Sequence, residues 1–173
     1  SLVAPERLRF DFTHTQSLSK EDLSFIEKHA AEIVLANFPV NTRWTSLQQA
    51  RKEGAQALFG EKYDENNVRV VSFGEEEEEG PVSMELCGGT HVTRTGDIGL
   101  FRVLSEGGVA AGVRRVEATT GESALALVEH EHEQLMQIAS TLKAQPNEIF
   151  NKINQLQDNA KSLEKELAQL KSK

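Results

Sequence analysis

The chain is poor in features that would cross-link it or lodge it in a bilayer. Among its 173 residues there is one cysteine, Cys87. An internal disulfide is excluded, and a reducing, cytoplasmic setting is expected. No apolar run approaches the roughly 20 residues that span a membrane, and no charged-then-apolar leader opens the sequence. Positive charge is short as well. Lys and Arg total 19 against 27 Asp and Glu, a formal net charge of −8. That balance argues against a stand-alone, non-specific nucleic-acid binder, which needs a basic face for phosphates. It does not exclude a pocket that takes only the end of an RNA held by other domains, because net charge governs non-specific association and not a single site. Neither a P-loop nor a dinucleotide fingerprint is present. An initiator methionine is missing too, and Ser1-Leu2-Val3-Ala4-Pro5 reads as a cut inside a longer protein.

What is there reads as an α+β domain with a largely antiparallel sheet, followed by a helical segment. Leu8 to Phe12 alternates apolar and polar, the period of a half-buried strand. Ser19 and Asp22 form a capping-box pattern ahead of Leu23, Ile26, Ala30, Ile33 and Val34, which predicts a helix over 20–37 that Pro39 stops. Val40–Trp44 is a candidate strand, and Ser46 caps a short helix closed near Gly54. Val68–Phe73 and Val82–Leu86 read as strands around Glu75–Glu79, five like charges expected in a solvated or disordered loop tip. Leu100–Leu104 and Val113–Ala118 read as two more, joined by a glycine-rich connection, Glu106–Gly112. After a boundary near Gly121 (residues 1–120 and 121–173) the character is helical. Pro146 suits the first position of a new helix. Ile149, Ile153, Leu156, Ala160, Leu163, Leu167 and Leu170 make a heptad seam over about three heptads. The helices fold back as an antiparallel hairpin or the second pairs with another chain.

Cys87-Gly-Gly-Thr-His91 is the sharpest chemical feature. A thiolate and an imidazole four residues apart can face one ion, and the glycines between them let the backbone wrap closely. Zinc takes this ligand mixture but needs three or four protein ligands. The same spacing also fits a buried cysteine beside an incidental histidine, or a catalytic Cys–His pair with no third group to orient it. Of the other histidines, His14 follows the first strand and can in principle approach the site. His29, on the first helix, reads as solvated, and His130 and His132 point to different helix faces and read as structural or solvated. Arg114 and Arg115, on one strand, fit a phosphate or carboxylate clamp, or equally a surface arginine paired with a glutamate. A turn at Gly107 and Gly108 would present backbone N–H groups to an anion.

Five stretches, in order, resemble bacterial alanyl-tRNA synthetases: Leu8–Phe12, Ala57–Asp64, Glu85–His91, Arg94–Phe101 and Ala111–Ala118. The resemblance covers essentially the whole chain. It implies an editing domain of the class II synthetase type over 1–120, lacking its N-terminal part, with a helical linker or coiled coil after it. In that family an aminoacylation core, absent here, uses ATP and magnesium to attach alanine to its tRNA. The editing domain hydrolyses seryl- or glycyl-tRNA(Ala). The family's zinc is held by a His-x-x-x-His pair and a Cys-x-x-x-His pair. Cys87 and His91 match the second pair, and nothing here matches the first. The resemblance therefore implies two of four zinc ligands, the 3′ end of tRNA(Ala) as partner, and an isolated chain that is inactive. Candidate substrate contacts are Arg114, Arg115, Gly107 and Gly108. Alternatives are a threonyl-type or free-standing editing domain, and a non-catalytic module that self-associates through 149–170.

Overall fold

The structure, a computed structural model, describes residues 1–57, 61–74 and 80–172. The acidic run 75–79 and part of the Ala57–Asp64 stretch lie outside them. The chain is α+β, with two antiparallel sheets and four α-helices among the described residues. It divides into two units, Ser1–Leu125 and Ala126–Lys173.

In the first unit, β1 (Leu2–Val3), β2 (Leu8–Thr13), β6 (Phe101–Ala110) and β7 (Val113–Thr120) form a sheet in the order β1-β2-β7-β6. β3 (Val40–Thr45), β4 (Val68–Phe73) and β5 (Ser83–Leu86) form the other, with β4 central. The period-two pattern of β2 sets its register. Leu8, Phe10 and Phe12 oppose Ala118, Val116 and Arg114 of β7, and the Phe10 and Phe12 rings stack with centroids 6.2 Å apart.

Helix α1 (Lys20–Ala36) begins as its capping box predicts. Asp22 donates its N–H to Ser19 Oγ at 3.0 Å, and the Ser19 N–H returns to Asp22 Oδ2 at 2.8 Å. Leu23, Ile26, Ala30, Ile33 and Val34 are half-buried along one stripe, while Phe25 and Leu35 are exposed. The helix ends on Asn37, whose φ of 51° is left-handed and whose N–H reaches the Val34 carbonyl. Ser46 then caps α2 (Leu47–Lys52) through the Gln49 N–H.

Alternation along β4 and β5 gives the smaller sheet two different faces. Val68, Val70 and Leu86 face Ala50 and Ala55, with Leu47, Tyr63 and Met84 around them, and make a tight core. The opposite face carries Val71, Phe73, Ser83 and Glu85 and forms the floor of a cleft.

One segment departs from its sequence reading. The glycine-rich stretch 106–112 is mostly not a connection. β6 continues through Gly107 and Gly108 to Ala110, and only Ala111 and Gly112 turn the chain into β7. Glycine's low strand propensity is overridden by pairing with β7 along the whole hairpin, and Gly112 takes the left-handed φ of 70° at the turn.

β7 runs directly into α3 (Gly121–Leu142) through Gly121 at φ 58°. In the second unit α3 ends on Lys143, also left-handed at φ 51°. Pro146–Glu148 is a short 3-10 turn that leads into α4 (Ile149–Lys171). Ala139 and Ile149 are buried at this elbow. Farther along α4 the heptad leucines Leu156, Leu163, Leu167 and Leu170 are exposed, so α3 does not cover the seam.

Candidate functional site

The Cys87–His91 loop is held at the end of β5. Leu86, 1% exposed, anchors the strand in the core. Cys87 continues the β4–β5 pairing for one residue, its N–H donating to the Arg69 carbonyl at 3.1 Å. The Arg69 guanidinium crosses to donate to the Gly89 carbonyl and braces the loop. A Cβ on Gly88 would meet nothing, and one on Gly89 would lie 3.5 Å from Cys87 Sγ, ordinary contact. The two glycines are therefore not forced by crowding, and they leave the loop bare beside the thiol.

By alternation Ser83, Glu85 and Cys87 fall on one side of β5. His91 lines the cleft on that side, of about 170 Å³, with Val71, Phe73 and Glu85 among the floor residues and Thr95 and Ile98 in the wall. The wall belongs to a 3-10 turn, Thr95–Ile98. Thr95 is 1% exposed. Its hydroxyl donates to the Ile33 carbonyl at 2.7 Å and accepts the Phe38 N–H at 2.8 Å, tying the wall to the end of α1. A Cβ on Gly96 would fall 2.4 Å from Asn37 Oδ1, so only glycine fits there without displacement.

Thiolate and imidazole suit zinc, but two donors do not complete a tetrahedral shell. Among the described residues no group of three His, Cys, Asp or Glu side chains is placed to hold a metal. Cys87 and His91 are therefore two candidate donors without a third among the described residues. His14 does not extend the pair. His14 follows β2 beside the larger sheet, its N–H bonded to the Gly112 carbonyl at 3.0 Å and its ring centroid 6.3 Å from that of Phe12. His29 stacks on Phe25 and lies 3.6 Å from Glu32. His130 bonds Gln134 at 3.1 Å, and His132 is exposed on α3.

The two arginines of β7 point to opposite faces, and each meets a carboxylate. Arg114 donates through Nε and Nη2 to Glu106, whose side chain is 6% exposed. The hydrogen bonds from Arg114 hold the Glu106 carboxyl below its ordinary range, against burial, which pushes it up. Arg115 grips Asp11 by two bonds of 2.7 and 2.9 Å and lowers that carboxyl likewise. Gly107 and Gly108 lie in β6 directly opposite Arg115 and Arg114. They are not the anion-presenting turn that the sequence suggests, because their backbone is extended and paired in the sheet. Arg69 and Thr95, which build the loop and the wall, escaped the sequence reading. Nothing local marks a strand arginine as a brace or a threonine as a buried tie.

Residues 68–117 match the family described as threonyl and alanyl tRNA synthetase second additional domain. Over its whole length the chain is 52% identical to the alanine--tRNA ligase of Rhizobium johnstonii, 50% to that of Rhizobium meliloti and 47% to that of Pseudoalteromonas translucida. It spans only 20%, 20% and 19% of those relatives, about a fifth of their length. The matched 68–117 region runs from β4 to β7 and contains the Cys87–His91 loop, the cleft floor and the braced wall, and on this sequence and this fold the chain belongs to the alanyl-tRNA synthetase family, as a segment that carries the second additional domain.

Proposed function

We propose that this chain supplies the Cys–His half of an editing site that hydrolyses the ester of tRNA(Ala) wrongly charged with serine or glycine. The observation that carries the reading is His91, at the end of the Cys87–His91 loop, lining a cleft of about 170 Å³. That volume is well below the roughly 300–1,000 Å³ of drug-sized ligand sites, and it suits a small amino acid. The aminoacylation chemistry, with its ATP and magnesium, belongs to parts of the parent outside this chain.

Zinc is the metal this reading calls for, with Cys87 and His91 as two of its ligands and the others from the parent. When bound it would anchor the substrate end or polarise a water. What the chain's own residues do is simpler. β5 and Arg69 position the two donors, and Thr95 and Ile98 hold the cleft wall around the amino acid. Proofreading of this kind is needed because an activation pocket rejects an analogue differing by one small group only weakly. Arg114 or Arg115 remains a proposed contact for RNA farther from the cleft, and Arg114 would have to leave Glu106, or Arg115 Asp11, to make it. The test is deacylation of seryl-tRNA(Ala) by a longer form of the protein that includes the segment preceding Ser1 in its relatives. Activity there, lost in Cys87→Ala and in His91→Ala, is the expected result. Full activity in both variants would defeat the reading.

A second reading concerns the helical unit. The exposed leucine seam of α4 favours self-association through residues 149–170. It predicts a concentration-dependent mass that disappears when Leu163 and Leu167 are both made glutamate. A monomer at every concentration tested would remove it.

A further inference from the structure

Trp44 is the only tryptophan of the chain, and it is 64% exposed. It sits on β3, an edge strand of the smaller sheet. An exposed indole on a sheet edge offers a large, rigid π face on which a planar group can stack. Its position relative to the cleft follows from the register. Val40 lines the cleft, and two-residue alternation carries Thr42 and Trp44 along the same face. On β4 the directly opposite residue is Arg69, with Val71 and Phe73 farther along the same face and in the cleft itself.

Arg69 links Trp44 to the chemistry. Its guanidinium donates to the Gly89 carbonyl, and its own carbonyl accepts the Cys87 N–H. It is half-buried, and among the described residues no carboxylate pairs with it. Arg43, Arg114 and Arg115 are each spent on a carboxylate. A guanidinium has five N–H donors, more than the Gly89 carbonyl takes up among the described residues. Indole, guanidinium and the Cys87–His91 loop thus lie side by side on one sheet face. The indole is about 13 Å along the strand from Val40, four steps of about 3.3 Å.

Resting on the editing reading above, we infer that Trp44 and Arg69 bind the nucleotide end of the substrate: Trp44 as a stacking platform for an unpaired base, Arg69 as the partner of a phosphate beside it. The amino acid enters the cleft, and the RNA that carries it leaves along β3 over the indole. Stacking of bases on aromatic rings beside a cation for the backbone is how unpaired strands are held, and a local pair of this kind is compatible with the net charge of −8, which governs non-specific association and not a single site. Trp44 and Arg69 are positioning residues in this arrangement and take no part in bond cleavage.

The single tryptophan makes the test direct. The 173-residue chain is titrated with a 5′-phosphorylated ribonucleotide trimer ending in CCA, with the Trp44 emission and the His91 ring resonance followed together. The expected result is saturable quenching that needs the terminal adenine, since the CC dimer should quench less. Arg69→Gln should weaken binding several-fold. It should also flatten the plot of log K against log salt by about 0.7, one phosphate contact on a single strand. Trp44→Leu, read at His91, should weaken binding by roughly fivefold or more. A trimer that shifts His91 equally in the parent chain and in Trp44→Leu, with Trp44 emission unchanged, would overturn the platform while leaving the cleft reading intact. No response at either probe would also overturn the platform, while the editing reading stands or falls on deacylation by the longer form.

Discussion

Arg114 and Arg115 are adjacent on one strand, yet they live in different surroundings. Arg114 and Glu106 form a nearly buried pair, whereas Arg115 and Asp11 are both one-third exposed. The lowered carboxyl of Glu106 comes first from the Arg114 hydrogen bonds, then from charge attraction, with burial opposing. A carboxylate lowered in the folded chain stabilises it above the ordinary value, 4.5 for glutamate, and that contribution is lost as pH falls through the folded value. Glu106→Gln is therefore expected to be less stable than the parent near neutrality, and the gap should close in acid. Urea midpoints followed from about pH 7 to about pH 3 check this. A gap that stays constant with pH would mean that the pair adds nothing through its charge. The sequence showed two arginines on a strand and left their partners open. Glu106 is eight positions away across a hairpin and Asp11 is on β2. A pairing of that kind is set by sheet register, which no local pattern displays. The Cys87–His91 motif stands out in the sequence for the opposite reason, since five consecutive residues carry the whole of it.

At the scale of elements, α1 was legible almost to the residue, because its cap and its apolar stripe are local signals. Ser19→Ala should cost about 1 kcal/mol by removing the side-chain half of the capping box. β6 was misread for a complementary reason. Gly107 and Gly108 have the composition of a turn, and only pairing with β7 makes them strand. The 3-10 turn at Thr95–Ile98 was invisible, since its purpose is tertiary. Thr95 fastens it to α1 by two hydrogen bonds, and Gly96 lets Asn37 approach. Gly96→Ala places a Cβ where Asn37 Oδ1 now lies, and it should destabilise the fold by about 1–3 kcal/mol. Adding Asn37→Gly should recover much of the loss, because glycine removes the clashing side chain and accepts the left-handed φ of 51°. Denaturant midpoints of the single and double variants measure it. An unrescued double variant would place the cost elsewhere than in this contact.

The molecule as a whole is two units with different grounds for order. The first has a core, small but tight, in which Val70 and Leu86 are each 1% exposed. Leu86→Ala should cost about 2–5 kcal/mol and, one residue before Cys87, should loosen the loop as well. The second unit buries only Ala139 and Ile149 among its described hydrophobics, and its leucine seam faces outward. The fold class was legible from periodicity, since alternating strands and a heptad repeat are properties of the chain alone. The covering of that seam was not, because it depends on what lies opposite. The same division governs the site. Cys87 and His91 are at hand with no third donor among the described residues, in a chain that spans about a fifth of the relatives it matches. The most direct test of the account is zinc content by elemental analysis, on this chain and on a form extended through the segment that precedes Ser1 in its relatives. The account predicts about one zinc per chain in the extended form only, lost there on Cys87→Ala or His91→Ala. One zinc per molecule of the 173-residue chain itself would contradict it.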